Sequence, residues 1–261
     1  MRILMCPPRH YAIRYEINPW MKLRNPIRHE AAQRQWEALY RVLRRLGVRI
    51  LQVPQSRRCP DMVFTANAGV AQGRVFIPSH FRHPERQGES AAFIRFFKAR
   101  GYRIADVAAG LYFEGEGDLL PYRDLLFGGF RFRSELGAHE KVGAFLRKRV
   151  VGLELTRPHF YHLDTCFFPL DERSALYYPG AFDAYGRKVI QRFVENPVAV
   201  ARADACQFAC NAIRVDRTVV INKIGRALKN RLWKLGYRAV ETDMSEFVKA
   251  GGSVKCLLLR L

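Results

Sequence analysis

The sequence has no long apolar segment. No apolar run among its 261 residues approaches the roughly 18 residues that a membrane-spanning helix requires. The first ten residues, MRILMCPPRH, include an apolar run of only four residues, which is too short for a signal-peptide core. We therefore expect a cytoplasmic protein that has no membrane partner.

The sequence also has few cysteines, and none of them forms a C-x-x-C pair. The six cysteines are Cys6, Cys59, Cys166, Cys206, Cys210 and Cys256. Because no export signal is present, reduced thiols are favoured over disulfide bonds. Cys206 and Cys210 are four residues apart, but a structural metal site needs four ligands with paired short spacings. We therefore predict no metal and no cofactor, and we interpret every cysteine except Cys256 as a packing residue.

Acidic residues are scarce relative to basic ones. The chain has 44 Lys and Arg against 24 Asp and Glu, which gives a net charge of +20. This charge favours anionic partners such as nucleic acid, but the basic residues are spread along the chain, mostly on the polar faces of predicted helices. A solvated basic surface is the favoured interpretation, with weak, non-specific nucleic-acid binding at low salt. A non-catalytic nucleic-acid-binding protein is one alternative.

The chain contains a repeat of about 50 residues. Helical periodicity is clear in EAAQRQWEALYRVLRRLG and recurs in ESAAFIRFFKARG, AHEKVGAFLRKRVVG and GRALKNRLWKLG. Each helix leads into a short strand through a glycine, at positions 47, 101, 152 and 236. Hairpin-like segments such as AGVAQGRVFIP lie between them. With the weaker copy IQRFVENPVAV, the unit of strand, strand, helix and strand occurs five times.

Five such units predict an α/β fold that closes into a ring. Each unit buries its apolar face only against its neighbours, which favours strands facing a central axis and helices outside. An open doubly wound sheet is the alternative, but it needs a glycine-rich phosphate loop after the first strand, and MCPPRHYAI has prolines there. We predict one domain spanning residues 1–261.

Three polar stretches carry groups suited to chemistry. In YFEGEGDLL, strand-like spacing would place Glu114, Glu116 and Asp118 on one face, and an acidic cluster in so basic a chain indicates a cationic ligand. A solvated acidic turn is the alternative. In FYHLDTCFFPL, His162 and Asp164 would share one side of a strand, an arrangement suited to general acid–base catalysis, unless His162 is a hydrogen-bonded core residue.

Cys256 follows two glycines near the end of KAGGSVKCLLLRL. The glycines allow a ligand to approach closely, and a thiolate paired with histidine is a common arrangement for covalent catalysis. The alternative is a small buried residue at the start of a last strand.

Together these stretches resemble the guanidine-modifying, or pentein, superfamily, which includes dimethylarginine dimethylaminohydrolase, arginine deiminase, the amidinotransferases and arginine dihydrolase. The segments that carry the resemblance are, in order, MCPPRHYAIRYEINPWM, PDMVFTANAG, FRHPERQGES, FEGEGDLL, FYHLDTCFFPL, YYPGAF, DACQFACNAIRV and SEFVKAGGSVKCLLLRL. The resemblance implies a five-bladed α/β propeller of pseudo-fivefold repeats, which agrees with the five units counted above.

The resemblance also implies roles for single residues. Cys256 matches the nucleophile of a closing G-G-x-x-K-C-L element, His162 the general acid and base, and Asp164 the carboxylate of an H-x-D motif. Glu114 matches the catalytic glutamate, with Glu116 as the alternative because this chain reads E-G-E-G-D where deiminases read E-G-G-D. The predicted substrate-binding residues are Asn18, Asn67, Arg86, Glu116, Asp118, Arg133 and Asp164.

Two of these matches bear on the substrate. Arg86 and Arg133 stand where arginine-handling members hold the substrate carboxylate. Asn67 replaces the aspartate of arginine deiminases and, with Asn18, resembles the site of arginine dihydrolase, which converts arginine to ornithine, carbon dioxide and two ammonias.

We therefore predict a cysteine-dependent hydrolase of a small cationic guanidino compound. The resemblance implies arginine or methylarginine as substrate and a covalent amidino-cysteine intermediate, formed without a metal or organic cofactor. An amidinotransferase that passes the amidino group to an amine is the alternative. The sequence leaves open whether the protein is a homo-oligomer.

Overall fold

The computed structural model describes residues 1–261, which form fifteen strands and seven helices. The strands are β1 (Arg2–Met5), β2 (Arg49–Gln52), β3 (Gly69–Gln72), β4 (Val75–Pro78), β5 (Arg103–Ile104), β6 (Leu119–Tyr122), β7 (Leu125–Phe130), β8 (Arg149–Glu154), β9 (Phe167–Pro169), β10 (Ser174–Tyr177), β11 (Asn196–Ala199), β12 (Ile213–Val215), β13 (Thr218–Ile221), β14 (Arg238–Glu241) and β15 (Leu259–Arg260). The helices are α1 (His29–Arg45), α2 (Pro84–Lys98), α3 (Leu136–Phe145), α4 (Ala184–Phe193), α5 (Arg202–Ala205), α6 (Arg226–Lys234) and α7 (Ser245–Val248).

The strands form five three-stranded sheets of the same design. Their orders are β15-β1-β2, β3-β4-β5, β6-β7-β8, β9-β10-β11 and β12-β13-β14. In each sheet the middle strand pairs antiparallel with one neighbour and parallel with the other. A helix connects each parallel pair, as parallel strands require a crossover. The predicted five-bladed α/β propeller, with its repeat of strand, strand, helix and strand, is confirmed.

The last strand closes the ring by pairing with the first. β15 runs antiparallel to β1, with Arg260 opposite Ile3. The sheet that contains β1 therefore takes its strands from both ends of the chain. A buried carboxylate reinforces this closure, because Glu246 accepts hydrogen bonds from the backbone N–H of Arg28 at 2.9 Å and from its Nε at 2.8 Å.

Glycines end three of the repeated helices. Gly47, Gly101 and Gly236 have φ angles of 77°, 74° and 84°, in the left-handed region that glycine adopts without strain. The predicted equivalent at Gly152 is wrong, because Gly152 lies inside β8. At that junction Arg147 takes the left-handed conformation instead, with φ of 55°.

The apolar core runs continuously through neighbouring sheets. Its largest part comprises 31 buried residues, including Phe127 of β7, Phe167 of β9, Leu176 of β10 and Ile221 of β13. Each sheet thus covers the apolar face of the next one, which a single three-stranded unit could not bury alone.

Candidate active site

Five tight turns, each directly before a strand, hold or flank most of the candidate residues. Four are short 3₁₀ helices, and the fifth is closed by a hydrogen bond of 2.9 Å from the N–H of Asn211 to the carbonyl of Phe208. The 3₁₀ helices are Thr65–Ala68, Gly115–Gly117, Leu163–Thr165 and Lys255–Leu257. Side chains of different turns contact one another, which brings distant parts of the sequence into one site.

Each turn carries a polar side chain, and these side chains recur at similar intervals along the sequence. These residues are Asn67, Glu116, Asp164, Asn211 and Cys256, which lie 49, 48, 47 and 45 residues apart. In the first four turns an aromatic residue stands three positions earlier. The five turns of the repeat therefore carry, in order, an amide, two carboxylates, a second amide and the thiol.

Cys256 lies in its turn rather than at the head of a strand, because β15 begins only at Leu259. The residue is 3 % exposed. Its Sγ lies 3.5 Å from Asp164 Oδ2 and accepts a hydrogen bond of 3.1 Å from Asn211 Nδ2. Burial, and next the charge of Asp164, raise the pKa of the thiol well above its usual value. In the free protein Cys256 is therefore the neutral thiol at pH 7.

Asp164 is buried beside this thiol. Burial raises the pKa of its carboxyl group to about 7, although Lys255 and the hydrogen bond with Cys256 act in the opposite direction. The second carboxylate oxygen, Oδ1, has no hydrogen-bond partner. The folded protein thus holds one carboxylate oxygen open next to the thiol.

His162 forms a buried pair with Glu114. Its Nε2 lies 2.7 Å from Glu114 Oε2, and Arg133 Nη1 contacts the same oxygen at 3.2 Å. Burial alone would raise the pKa of Glu114, but Arg133 and His162 outweigh it and hold the pKa below its usual range. Burial lowers the pKa of His162 to about 4, against the effect of Glu114. The free site therefore contains an ionised glutamate and a neutral imidazole.

The prediction that His162 and Asp164 share one side of a strand is wrong. They flank Leu163 in a 3₁₀ turn, so His162 meets Glu114 while Asp164 meets Cys256. This single turn thereby links the pair formed by His162 and Glu114 to the pair formed by Asp164 and Cys256.

The strand predicted for the three acids is also wrong. Glu114 precedes the turn Gly115–Gly117 and Asp118 follows it. Asp118 Oδ2 accepts a hydrogen bond from Ser134 Oγ at 2.7 Å and lies 4.0 Å from His162 Nε2. Burial raises the pKa of Asp118 well above its usual value, with Ser134 acting against it. Asp118 therefore lies beside the imidazole, and Ser134 of the protein already occupies one of its oxygens.

Glu116 has a different partner from the other two acids. Its Oε2 forms a buried ion pair of 2.9 Å with Lys255 Nζ and accepts a hydrogen bond from the Arg260 N–H at 3.3 Å. Of the two glutamates, only Glu114 contacts His162. The geometry therefore favours Glu114 over Glu116 as the glutamate that acts with the imidazole.

Asn67 and Arg86 contact each other. Asn67 Oδ1 accepts a hydrogen bond of 3.0 Å from Arg86 Nη1, and Arg86 also forms a two-point ion pair with Glu89 at 2.8 and 2.9 Å. A Cβ atom added at Gly117 would collide with Asn67 Nδ2 and lie 3.3 Å from His162 Cγ. Asn67 and His162 therefore both pack against a glycine that has no space for a side chain.

The segment between β1 and α1 connects the remaining predicted residues to the site. Residues 6–28 contain no helix or strand. Asn18 Nδ2 donates to the carbonyl of Ala250 at 3.1 Å, and Arg133 Nη2 donates to the carbonyl of Ile17 at 3.0 Å. Arg133 also stacks over the ring of Tyr161, 4.5 Å from its centroid. Asn18 and Arg133 thus tie this segment to the site.

The sequence reasoning missed Asp61. Its Oδ2 accepts a hydrogen bond of 3.0 Å from the Tyr15 hydroxyl, while its Oδ1 is buried without a partner. The amide nitrogen of Asn67 is likewise buried and unpartnered. Buried polar atoms are normally hydrogen-bonded, so open oxygens at Asp61 and Asp164 mark positions for ligand donors.

The reasoning also gave no role to Asn211 or Lys255. Both contact the residues that it did select, since Asn211 bonds to Cys256 and Lys255 to Glu116. The sequence signal for Asn211 is its distance of 47 residues from Asp164 and 45 residues from Cys256, close to the period of the repeat. Lys255 has no such signal beyond its place next to Cys256.

The chain shows no metal-binding cluster and no membrane-spanning helix. No group of three or more His, Cys, Asp or Glu side chains is arranged to hold a metal ion. None of the helices combines the length and the apolar character needed to cross a membrane.

A closed ring of five strand, strand, helix and strand units, with a cysteine and buried carboxylates in its turns, defines the pentein class of folds. Within that class, the chain belongs to the dimethylarginine dimethylaminohydrolase family. The family model described as "N,N dimethylarginine dimethylhydrolase, eukaryotic" matches residues 14–261.

Curated relatives carry two related activities in their names. A bifunctional arginine dihydrolase/ornithine cyclodeaminase from Nostoc sp. is 45 % identical over 267 residues, which cover 100 % of this chain and 38 % of that protein. A dimethylarginine dimethylaminohydrolase from Mycobacterium tuberculosis is 37 % identical over 260 residues, which cover 100 % of this chain and 85 % of that protein. This chain thus spans about two fifths of the bifunctional relative.

Solved structures match over nearly the full chain. The substrate-bound N-terminal domain of a cyanobacterial arginine dihydrolase, in a cysteine-to-serine variant, is 43 % identical with a TM-score of 0.95 and covers 99 % of this chain and 97 % of that domain. An asparagine-to-serine variant of the same domain is covalently bound to a reaction intermediate, again at 43 % identity and a TM-score of 0.95, with coverage of 99 % and 97 %.

Proposed function

We propose that this chain is a cysteine-dependent hydrolase of a guanidino compound, with L-arginine as the leading substrate. The observation that carries the proposal is the Cys256 thiol, 3.5 Å from a buried Asp164 carboxylate whose second oxygen is open. A guanidinium group is planar and cationic, and its N–H donors pair with carboxylate oxygens. Asp164 offers such an oxygen beside the thiol, and Asp61 offers another buried oxygen without a partner.

The positive charge of the substrate favours the thiolate form of Cys256, which is a neutral thiol in the free protein. Burial raises the pKa of Cys256 most, and the charge of Asp164 raises it further. A cation held by Asp164 offsets that charge and adds its own attraction for the thiolate, so the pKa of the thiol falls when the substrate binds. The thiol proton is transferred to His162, whose imidazole is neutral in the free site. Glu114 stabilises the resulting imidazolium through their hydrogen bond of 2.7 Å.

The first half of the reaction forms a covalent intermediate. The thiolate attacks the guanidinium carbon, the C–N bond to a terminal nitrogen breaks, and protonated His162 supplies the proton with which that nitrogen leaves as ammonia. The amidino carbon is then joined to Cys256 Sγ. A water molecule deprotonated by His162 attacks the same carbon, the C–S bond breaks, and a ureido product leaves.

Dihydrolase chemistry repeats this cycle on the ureido carbon. A second attack by Cys256 releases a second ammonia, and hydrolysis leaves a carbamate that decomposes to the amine and carbon dioxide. Two observations support this route. Asn67 stands where arginine deiminases have aspartate, and the solved relative with a covalent intermediate is an arginine dihydrolase altered at an asparagine.

Arg86 and Arg133 are proposed to hold the substrate carboxylate, with Asn18, Asn67 and Asp118 as further pocket residues. Both arginines are buried and already paired with acids, Arg86 with Glu89 and Arg133 with Glu114. A substrate carboxylate would therefore join existing ion pairs. We also propose a cytoplasmic location, supported by six free cysteines, as in a reducing compartment.

The proposal is tested by turnover of arginine. We expect the purified protein to release ammonia together with ornithine or citrulline, and brief exposure to arginine to add an amidino group to Cys256 in mass spectra. Two ammonias per arginine indicate dihydrolase chemistry, and one indicates deiminase chemistry. Cys256→Ser should abolish both turnover and adduct.

Cys59→Ser is the matched control, because Cys59 is also buried but contacts none of the proposed catalytic groups. It should retain turnover. Full activity in Cys256→Ser would overturn the mechanism. Turnover only in the presence of an added amine, with the amidino group found on that amine, would assign the chain to the amidinotransferases instead.

A further inference from the structure

The side-chain amide of Asn211 contacts Cys256 through both of its polar ends. Asn211 Nδ2 donates to Cys256 Sγ at 3.1 Å, and Asn211 Oδ1 accepts from the Cys256 backbone N–H at 3.1 Å. The same Nδ2 donates to the backbone carbonyl of Asp164, also at 3.1 Å. Asn211 is 0 % exposed.

Backbone groups fix the orientation of this amide. The N–H of Cys256 requires an acceptor, which only Oδ1 provides, and the carbonyl of Asp164 requires a donor, which only Nδ2 provides. If the amide were turned over, Nδ2 would face the N–H of Cys256 and Oδ1 would face the carbonyl of Asp164. Neither pair could form a hydrogen bond. The donor that faces Sγ is therefore held in place by contacts that do not involve the sulfur.

We propose that Asn211 is a positioning residue that fixes the Cys256 sulfur beside Asp164 and donates a hydrogen bond to its thiolate form. This inference rests on the proposed function of the site and extends it to a residue whose contribution is made through the nucleophile rather than through the substrate.

The surroundings of the sulfur explain why such a donor is needed. Asp164 lies on one side of the thiol and disfavours a negative charge there. Lys255 is directed away, because its Nζ bonds to Glu116 and to the carbonyl of Leu258. The backbone N–H of Ser253 and the side-chain N–H of Asn211 both face Sγ before substrate arrives, and the charge of Lys255 adds a smaller effect in the same direction. An N–H donor stabilises a thiolate more than a thiol.

The fold gives Asn211 the precision that this role requires. Asn211 lies 47 residues after Asp164 and 45 residues before Cys256, so the three side chains come from successive turns of the repeat. Phe208, three residues earlier, adopts φ of 60°, an unusual conformation for a residue other than glycine. The turn is held in a strained shape that presents the amide to the sulfur.

Replacing the donor without changing the side-chain shape tests the proposal. Asn211→Asp keeps an acceptor for the Cys256 N–H but places an oxygen against Sγ. We expect the apparent pKa of Cys256 alkylation by iodoacetamide, followed peptide by peptide with mass spectrometry, to rise by about one unit, so that alkylation at pH 7 slows about tenfold. With arginine, kcat should fall at least tenfold while KM changes less than about twofold.

Asn222→Asp is the matched control. Asn222 is 3 % exposed, and its amide likewise donates to a backbone carbonyl, that of Gln207, and accepts from a backbone N–H, that of Met244. This variant carries the general cost of a buried Asn→Asp change without touching Cys256, so its alkylation profile should match that of the unaltered protein.

Equal alkylation profiles for Asn211→Asp and Asn222→Asp would overturn the inference. If Asn211→Asp does not fold, the smaller and uncharged Asn211→Ser replaces it with the same two measurements. The alkylation experiment needs no substrate. Failure of the unaltered protein to turn over any guanidino compound would therefore count against the proposed function, whereas an unchanged thiol titration would count against the role of Asn211.

Discussion

Asp164 is a buried carboxylate that the folded protein satisfies at only one of its two oxygens. It is 1 % exposed, and its Oδ1 has no partner. Burying an acid in this way penalises its charged form, which is why its pKa is raised to about 7. A free protein at neutral pH therefore carries a destabilising charge that a cationic substrate would neutralise, a common relation between stability and function at active sites.

We predict that Asp164→Asn stabilises the free protein while abolishing turnover. An acid whose pKa is raised by folding binds protons more tightly in the native state, so stability falls as pH rises from about 4 to about 7. Removing the acid removes this loss. Urea unfolding at pH 8 should show Asp164→Asn more stable by on the order of 3 kcal/mol, and the difference should shrink at pH 5.

Asp171→Asn is the control, because this replacement should change the stability in the opposite direction. Burial would raise the pKa of Asp171, but hydrogen bonds from Tyr237, Arg173 and Ser174 outweigh it and lower the pKa. Its replacement should therefore destabilise the protein above about pH 4. A loss of stability in Asp164→Asn at pH 8 would show that the native carboxylate is better satisfied than its contacts indicate.

The role of a residue could be predicted where the residue lies in a short sequence motif. Cys256, His162 and Glu114 each lie in a local pattern that the resemblance interprets. Asp61 and Asn211 were not predictable in the same way, because their importance arises from contacts with residues distant in sequence. A buried oxygen without a partner, as at Asp61, becomes visible only when the surrounding atoms are in place.

At the level of elements, turns rather than strands present the candidate residues. Strand spacing would send alternate side chains to one face. In a 3₁₀ turn, by contrast, residues two apart point in different directions, so Glu114 and Glu116 reach different partners, His162 and Lys255. The glycines in E-G-E-G-D allow one turn to approach another closely.

Gly117 provides a test of how tightly these turns pack. Its added Cβ would collide with Asn67 and lie 3.3 Å from His162 Cγ. We predict that Gly117→Ala displaces both side chains and lowers kcat/KM for arginine by roughly tenfold to a hundredfold, because small misplacements of reacting groups are costly. Circular dichroism and thermal unfolding should show that the fold is retained.

Gly88→Ala is the matched control for this change. Gly88 lies within α2, where an added Cβ would make only an ordinary contact of 3.6 Å with Cys59 Sγ. Alanine also has the higher helix propensity, so this variant should be at least as stable as the unaltered protein and equally active. Equal kcat/KM in the two alanine variants would mean that the turns have space that the structure does not show.

For the whole molecule, the ring was predictable because each copy of the repeat carries the same pattern of strand, strand, helix and strand. Closure between β15 and β1 could not be read from either segment alone, since it pairs the two ends of the chain. That pairing supports the prediction of one domain over residues 1–261, which stays a prediction. The 3₁₀ turns could not be predicted from the sequence pattern, because 3₁₀ turns and short strands have similar local composition.

The net charge of +20 affects the approach of a cationic substrate. Like charges repel over about 30 Å at 0.01 M salt but over only about 8 Å at 0.15 M. We therefore predict that kcat/KM for arginine rises about twofold between these salt concentrations, while kcat stays constant, because screening weakens the long-range repulsion and leaves the buried acids of the site unaffected.

A variant with less surface charge separates this effect from other consequences of salt. Lys223 and Arg226 are exposed near the start of α6, and exchanging each for glutamate changes the net charge by two, so the double variant carries +16 instead of +20. Glutamate is also favourable near a helix N-terminus, so the fold should tolerate the exchange. The double variant should show a higher kcat/KM at 0.01 M salt and a smaller rise with salt. If kcat/KM instead fell as salt increased in both proteins, attraction by acids around the site would have to outweigh the repulsion of the whole molecule.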